Sequence, residues 1–357
     1  MNATVSELPG FLQLPHREER GSAGYSMVEL VVASVLLSML IFSVATLSVS
    51  GGEAQEYSRR VARVTEVTQD LLGEIRLELV SSARVFGNDA EGNANLAVFD
   101  TDGAPAPLAD LRLPRISATG TIGADVSGAE ITGNSLLFTK LSWSDRFVCT
   151  SGNEYLVDVF RWVYYYLTPE DGGPDLTNAI GLNLVRIESE PLIDAAGVDR
   201  ITDATDQEEF LVHLATSTPD ANGATHPAAE VVWIRGQLPS DTDTFRQVDP
   251  SDGSMSSTPF GGRPDPWEVL RAPGDVCGVL SYRHHSVASI YARDAFGVGA
   301  FGIESTTGTG FPHGLEVQVV GPSAARQVLV HLVCCSTQRR GHTAYCDMML
   351  SIDVRDL

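Results

Sequence analysis

Lysine is nearly missing from this chain. Of 357 residues only Lys140 is a lysine, and 24 basic residues face 46 acidic ones, for a net charge of −22. Nucleic-acid backbones are bound by Lys and Arg side chains that neutralise phosphates, so direct nucleic-acid binding is not expected. The acid excess instead keeps the surfaces of neighbouring molecules apart. Cysteine is also sparse, with five residues at 149, 277, 334, 335 and 346 and no CxxC pair. No GxSxG, HExxH or phosphate-cradling glycine loop occurs. His284-His285 and His331 have no matched acid and nucleophile nearby in sequence, so they read as structural or exposed. No internal repeat is evident. The chain therefore reads as a non-enzyme with no cofactor.

What is present begins with an apolar run from Leu30 to Val49, interrupted only by Ser34, Ser38, Ser43, Thr46 and Ser48. As a helix this run is about 30 Å long, the thickness of a bilayer core. It exceeds the roughly 7–15 apolar residues of a secretory signal peptide and follows a mixed-charge stretch, His16–Arg20. Arg17 and Arg20 precede it while Arg59, Arg60 and Arg63 follow, so charge alone does not orient it. Glu29 stands at its mouth. A carboxylate in a low-dielectric layer is costly unless paired, so Glu29 calls for a partner. The bland alternative is a side chain that reaches back to the interface.

Beyond Gly51-Gly52, Tyr57, Val61, Val64, Val67, Leu71, Ile75 and Leu79 recur at spacings of three and four, one face of an amphipathic helix. The opposite face carries Glu53, Glu56, Arg59, Arg60, Arg63, Glu66, Asp70, Glu74 and Glu78. The spacing predicts a helix from Tyr25 to about Phe86, with its apolar stripe holding a domain that follows. The two glycines weaken it by roughly 1–2 kcal/mol and mark a candidate joint.

Residues 88–134 are rich in Gly, Ala, Asp, Thr and Pro and read as loop with short strands. Strand-like runs follow at Ser135–Lys140, Tyr155–Leu167, Leu182–Glu188, Glu230–Arg235, Val276–Tyr282, Leu315–Val320, Gln327–Val333 and Tyr345–Val354. Two polar stretches, near 199–222 and 236–274, read as long surface loops. The expected organisation is a segment 1–24, a membrane helix 25–50, an amphipathic helix 51–87 and a β-rich domain 88–357. The fold class is α+β, a long helix on an antiparallel sheet.

An exported domain oxidises its cysteines. A hairpin turning near Arg339–Gly341 sets Cys346 opposite Cys334 or Cys335 and predicts a disulfide there, with Cys149–Cys277 as the second candidate pair. A metal site of Cys334, Cys335, His342 and Cys346 matches no common zinc spacing. The acidic turns holding Asp171 and Asp175, and Asp249 and Asp252, are candidate calcium ligands, although neither has EF-hand spacing.

The segment Gly24-Tyr-Ser-Met-Val-Glu-Leu30 before the long apolar helix resembles the class III signal of type IV pilins and type II secretion pseudopilins. The resemblance implies a leader, 1–24, removed by a prepilin peptidase that cuts after Gly24. Tyr25, where the family has phenylalanine, would become the methylated first residue, and Glu29 would be the acid that registers neighbouring subunits. Three β segments are similar to minor pilins of the W type and minor pseudopilins of the J type. They are Ser135–Lys140, Arg161–Leu167 and Leu184–Leu192, the last carrying Arg186 and Glu188. The run Pro322–Leu332 resembles their late strand. The length suits the W type better. The implied protein is a structural subunit that starts or caps a type IV pilus-like filament, or a type II secretion pseudopilus. Its partners would be prepilin peptidase, other minor and major pilins, and the inner membrane. Its globular domain would stand in the periplasm and then at the filament tip or cell surface. The rival from another class is a membrane-tethered periplasmic enzyme or binding domain.

Overall fold

The computed structural model describes residues 25–98, 104–123, 131–169, 181–217, 219, 222–238, 244–257, 267–271, 286–290, 292, 313–336, 343–354 and 356. One helix, α1, runs Met27–Val80 and passes through Gly51 and Gly52 without interruption. It is long and apolar enough to cross a membrane. The chain divides into two compact units, one ending at Glu56 and the other spanning Tyr57–Leu357. In the first unit every residue from Tyr25 to Glu56 is exposed.

In the second unit α1 buries five members of the predicted stripe, Val64, Val67, Leu71, Ile75 and Leu79, together with Leu72, while Tyr57 is exposed and Val61 only partly buried. Each of the buried side chains contributes roughly 1.5–3 kcal/mol as an upper estimate. The helix stops six residues short of the predicted end. Ser81 N–H bonds back to the Glu78 carbonyl, and the next residues form strand β1, Ser82–Phe86. The local reason is the run Ser-Ala-Arg-Val-Phe. It ends in β-branched and aromatic residues that fit a strand edge better than a helix turn.

The described strands form one large sheet. After β1 and helix α2 (Ala90–Val98) come β2 (Leu136–Val148), β3 (Glu154–Thr168), β4 (Gly181–Glu188) and β5 (Leu192–Asp194). Helices α3 (Ala195–Val198) and α4 (Ala204–Ala215) follow. Next are β6 (Val231–Trp233), β7 (Phe245–Val248), β8 (Met255–Ser257), β9 (Trp267–Arg271), β10 (Ser286–Ala288), β11 (Leu315–Val320), β12 (Arg326–Ser336) and β13 (Ala344–Val354). The path across the sheet is β11-β12-β10-β4-β3-β5-β6-β7-β8, with β1 joined through β2 to β3, β9 on β4, and β13 on β12. Every pairing is antiparallel except β5 with β6. This bears out the α+β class.

Two structural layers sit on one face of the sheet. Under α1, Phe138, Tyr165, Leu184, Val317, Val330 and Ile352 form the largest core. Further along the β2–β3 ribbon, Val157 and Val159 pack with Phe210, Leu211 and Leu214 of α4. The opposite face carries an aromatic core of Phe86, Trp162, Trp233 and Phe245.

Helix α4 lies in the stretch read as loop near 199–222. Asp203 caps it, accepting from Thr205 and Asp206 N–H. Its buried residues Phe210, Leu211, Leu214 and Ala215 span barely more than one turn and follow the polar run Thr-Asp-Gln-Glu-Glu, which is why the stretch read as loop. The strand run Val276–Tyr282 lies outside the described residues.

Candidate assembly site and buried charge cluster

Glu29 lies in the first turn of α1, and its carboxylate is engaged locally. Ser26 N–H donates to Glu29 Oε2 at 2.9 Å, and Glu29 N–H donates to Ser26 Oγ at 3.2 Å. This reciprocal pair is a capping box, which satisfies two backbone donors left over at a helix start. An acid there also favours the positive end of the helix dipole. Tyr25 is exposed and not helical. Gly24 lies outside the described residues. Further along, Ser34, Ser38 and Thr46 donate their hydroxyls to the carbonyl four residues back, so these polar groups are satisfied within the apolar span.

A second constellation sits under the last turns of α1. Glu78, assigned by periodicity to the solvent face, is turned inward. Arg186 Nη2 lies 2.5 Å from Glu78 Oε1, and Lys140 Nζ lies 2.7 Å from the same oxygen. Tyr165 donates its hydroxyl to Glu78 Oε2, and Arg186 also pairs with Glu188. Lys140 reaches Glu188 at 3.1 Å, and Arg161 approaches it at 3.4 Å while also donating to the Ser189 carbonyl. The sheet explains this convergence. Lys140 faces Arg161, Val163 faces Glu188, and Tyr165 faces Arg186 in register, so one face of three adjacent strands presents all of them to the helix. Burial by itself would raise the Glu78 carboxyl. The hydrogen bonds from Arg186, Lys140 and Tyr165 outweigh it and hold the group below the ordinary carboxylate range. Tyr165 is driven far above the ordinary phenol range, first by burial and then by Glu78. Every member has a partner, so the cluster locks helix to sheet. The signals in sequence were a lone lysine and an Arg-x-Glu on one strand face.

The cysteine expectations meet a mixed outcome. Cys334 and Cys346 are direct register partners, as the hairpin spacing predicts. They are nevertheless thiols, as are Cys149 and Cys335. Cys335 is opposite Tyr345, and neighbouring residues on a strand project to opposite faces. Cys334 joins the core under α1, with Cys346 packed against it, whereas Cys335 packs with Ala288, Ala292 and Val333 on the other face. A Cys335–Cys346 bridge is therefore excluded by geometry. Cys277 lies outside the described residues, as do His284, His285 and His342.

Among the described residues one group of side chains has the proximity of a metal site: Cys149, Asp206 and Glu209. Their donors are already supplied by protein. Asp206 accepts from Asn153 and from the Tyr155 hydroxyl, and Glu209 accepts from Thr150 N–H at 2.7 Å and Thr150 Oγ1 at 2.5 Å. Burial, then Asp206 and Glu209, raise the Cys149 thiol, which keeps it protonated. The trio fastens the β2–β3 turn to the start of α4. Among the described residues no group of three ligating side chains includes Asp249 or Asp252. Asp249 Oδ1 accepts from Ser251 N–H and Oγ, and Asp252 Oδ1 accepts from Ser254 N–H, so each shapes its own turn. Asp171 and Asp175 lie outside the described residues. His331 is buried between Glu316, 3.0 Å from Nδ1, and Asp347, 2.7 Å from Nε2, across three strands.

Comparison with protein-family models, curated proteins and solved structures finds no match for this chain.

Proposed function

We propose that this chain is a structural, non-enzymatic minor pilin that starts or caps a type IV pilus-like filament. On this reading prepilin peptidase cuts after Gly24 and methylates Tyr25. Residues 25–50 then hold the chain in the inner membrane until they move among the helices of other pilins. The globular domain stands in the periplasm and later at the filament tip or cell surface. The same residues would serve a type II secretion minor pseudopilin.

The observation that carries this reading is the contrast within α1. Its first part is exposed on every side and apolar, yet it has an acid in the first turn. Its last part is amphipathic and fixed to the sheet by an apolar stripe and an ion cluster. A simple tether for an enzyme needs an apolar span but no acid at its mouth. Ser26 engages Oε2 of Glu29 within the chain, and on this reading the carboxylate would also meet the N-terminal amine of a neighbouring subunit. In a low-dielectric layer that pairing would offset the cost of the buried carboxylate.

The test is co-expression with a prepilin peptidase, followed by mass measurement of the intact chain. The expected result is loss of 1–24 and gain of one methyl group, both abolished by Gly24→Ala. An unchanged mass, or a shift indifferent to Gly24→Ala, would overturn the proposal in favour of a tethered periplasmic domain.

A further inference from the structure

Among the described residues strand β13 is an open edge. It pairs with β12 at all eleven positions from Arg326↔Val354 to Ser336↔Ala344, with no register break, and no other described strand pairs with it. The opposite edge of this part of the sheet is treated differently. There the outer side of β11 is covered by bridges from Ser117 to Val320 and from Gly133 to Val317. Long, flat edges are templates for another strand, and proteins guard them with lysine, proline, bulges or short length. β13 has none of these guards. Its core-side row also looks unfinished. Cys346, Met348 and Leu350 are only partly buried against the core they border. On the other face Tyr345, Asp347, Met349, Ser351 and Asp353 are all exposed.

The strand is complementary to itself. Two copies running antiparallel and centred on Met349 overlap from end to end, with Ala344 opposite Val354. In that register Asp347 faces Ser351, Asp353 faces Tyr345, and Met349 faces Met349. No acid meets an acid, and both aspartates face a hydroxyl donor. On the core side Met348 faces Leu350 and Cys346 faces Ile352, so both rows match apolar with apolar. Moving the centre to Leu350 would set Asp347 against Asp353, and moving it to Asp347 would set that residue against itself. Like charges directly opposite are destabilising. The net charge of −22 opposes any self-association, but at physiological salt such repulsion is screened beyond about 8 Å.

We propose that β13 is a homodimer interface, pairing with β13 of a second copy about a twofold axis at Met349 and continuing the sheet from one molecule into the next. This goes beyond the filament reading and does not depend on it, because the strand lies in the globular unit.

The test uses the full chain in detergent micelles, carrying Cys346→Ser to remove the half-exposed thiol. Met349→Cys is compared with Tyr345→Cys under mild oxidation by copper phenanthroline and oxygen. The expected result is a disulfide-linked homodimer for Met349→Cys, several-fold more abundant than for Tyr345→Cys. Mixing separately made Tyr345→Cys and Asp353→Cys chains should restore crosslinking. Met349→Lys, a change at an exposed site, should keep the native circular dichroism and shift the chain to monomer in sedimentation. Equal crosslinking at 345 and 349, crosslinking only to other proteins, or an unaltered mass for Met349→Lys would each overturn the proposal. Crosslinks caused by association of the apolar helices alone would give the first of these outcomes.

Discussion

Arg186 and Glu78 are joined by a 2.5 Å contact between residues 108 positions apart in sequence, one on β4 and the other near the end of α1. Arg186 is therefore not replaceable by size alone. Arg186→Met leaves Glu78 with Lys140 and Tyr165 only, and removing one partner of a buried pair costs roughly 3–5 kcal/mol. The expected outcome is a lower urea midpoint, followed by tryptophan fluorescence, with Arg186→Lys recovering part of the loss. A midpoint for Arg186→Met equal to wild type would remove the cluster as the lock on α1.

Ser26→Ala deletes one half of the capping box. Loss of such a cap costs about 1 kcal/mol. Hydrogen exchange at the amides of Met27–Leu30 should quicken, with no change at Leu71–Leu79. Equal exchange in the two proteins would show that the cap is not formed in the membrane or micelle.

His331 carries a pH dependence whose sign is fixed by its partners. Burial lowers its pKa, but Glu316 and Asp347 more than reverse that, and the folded value lies above the ordinary one. A raised value in the folded state means the contribution is complete below the unfolded pKa, about 6.5. It is lost as pH rises through the folded pKa. Unfolding free energy measured from mildly acidic to alkaline pH should therefore fall over that window. His331→Gln should flatten that part of the profile. A profile that rises there would contradict the assignment.

Thiol chemistry should separate the cysteines. In the native chain Cys346 is the half-exposed one of the described thiols and should alkylate ahead of Cys149, Cys334 and Cys335. Burial, then Cys334, push the Cys335 thiol up to about 12, so it should stay unmodified until the chain unfolds. Peptide mapping after brief maleimide treatment reads this directly, and early labelling of Cys335 would refute it.

Gly133→Ala should be poorly tolerated. A Cβ there would lie 2.3 Å from Pro114 N and 2.5 Å from the Leu113 carbonyl carbon, both backbone atoms that cannot swing aside. The residue also bridges Val317, so the substitution should both destabilise the fold and loosen the cover on β11. A melting temperature equal to wild type would show that the loop shifts freely.

How much of this was legible in sequence follows the range of each signal. The apolar span, the stripe Val64–Leu79 and the strands around 136–168 and 315–354 announce themselves because their periodicity is local. Glu78 was misassigned because helical spacing places it beside the polar residues Glu74 and Asp70. Its inward turn depends on Lys140 and Arg186, whose positions arise only when three strands align. Cys334 and Cys346 were correctly opposed because a hairpin fixes register, while Cys335 was left open because facing direction depends on parity. Strand β6 falls inside the predicted run Glu230–Arg235, whereas β5, β7 and β8 are three or four residues long and carry too few alternations to be read.

The lone lysine returns with a practical meaning. Its ε-amine is held by Glu78 and Glu188 and is largely shielded from solvent. A native chain treated with an amine-selective reagent thus has almost nowhere to take the label except its own first residue. Peptide maps cut at lysine would hold two fragments. Any change at the N-terminus, whether trimming or methylation, would stand out against a nearly silent background.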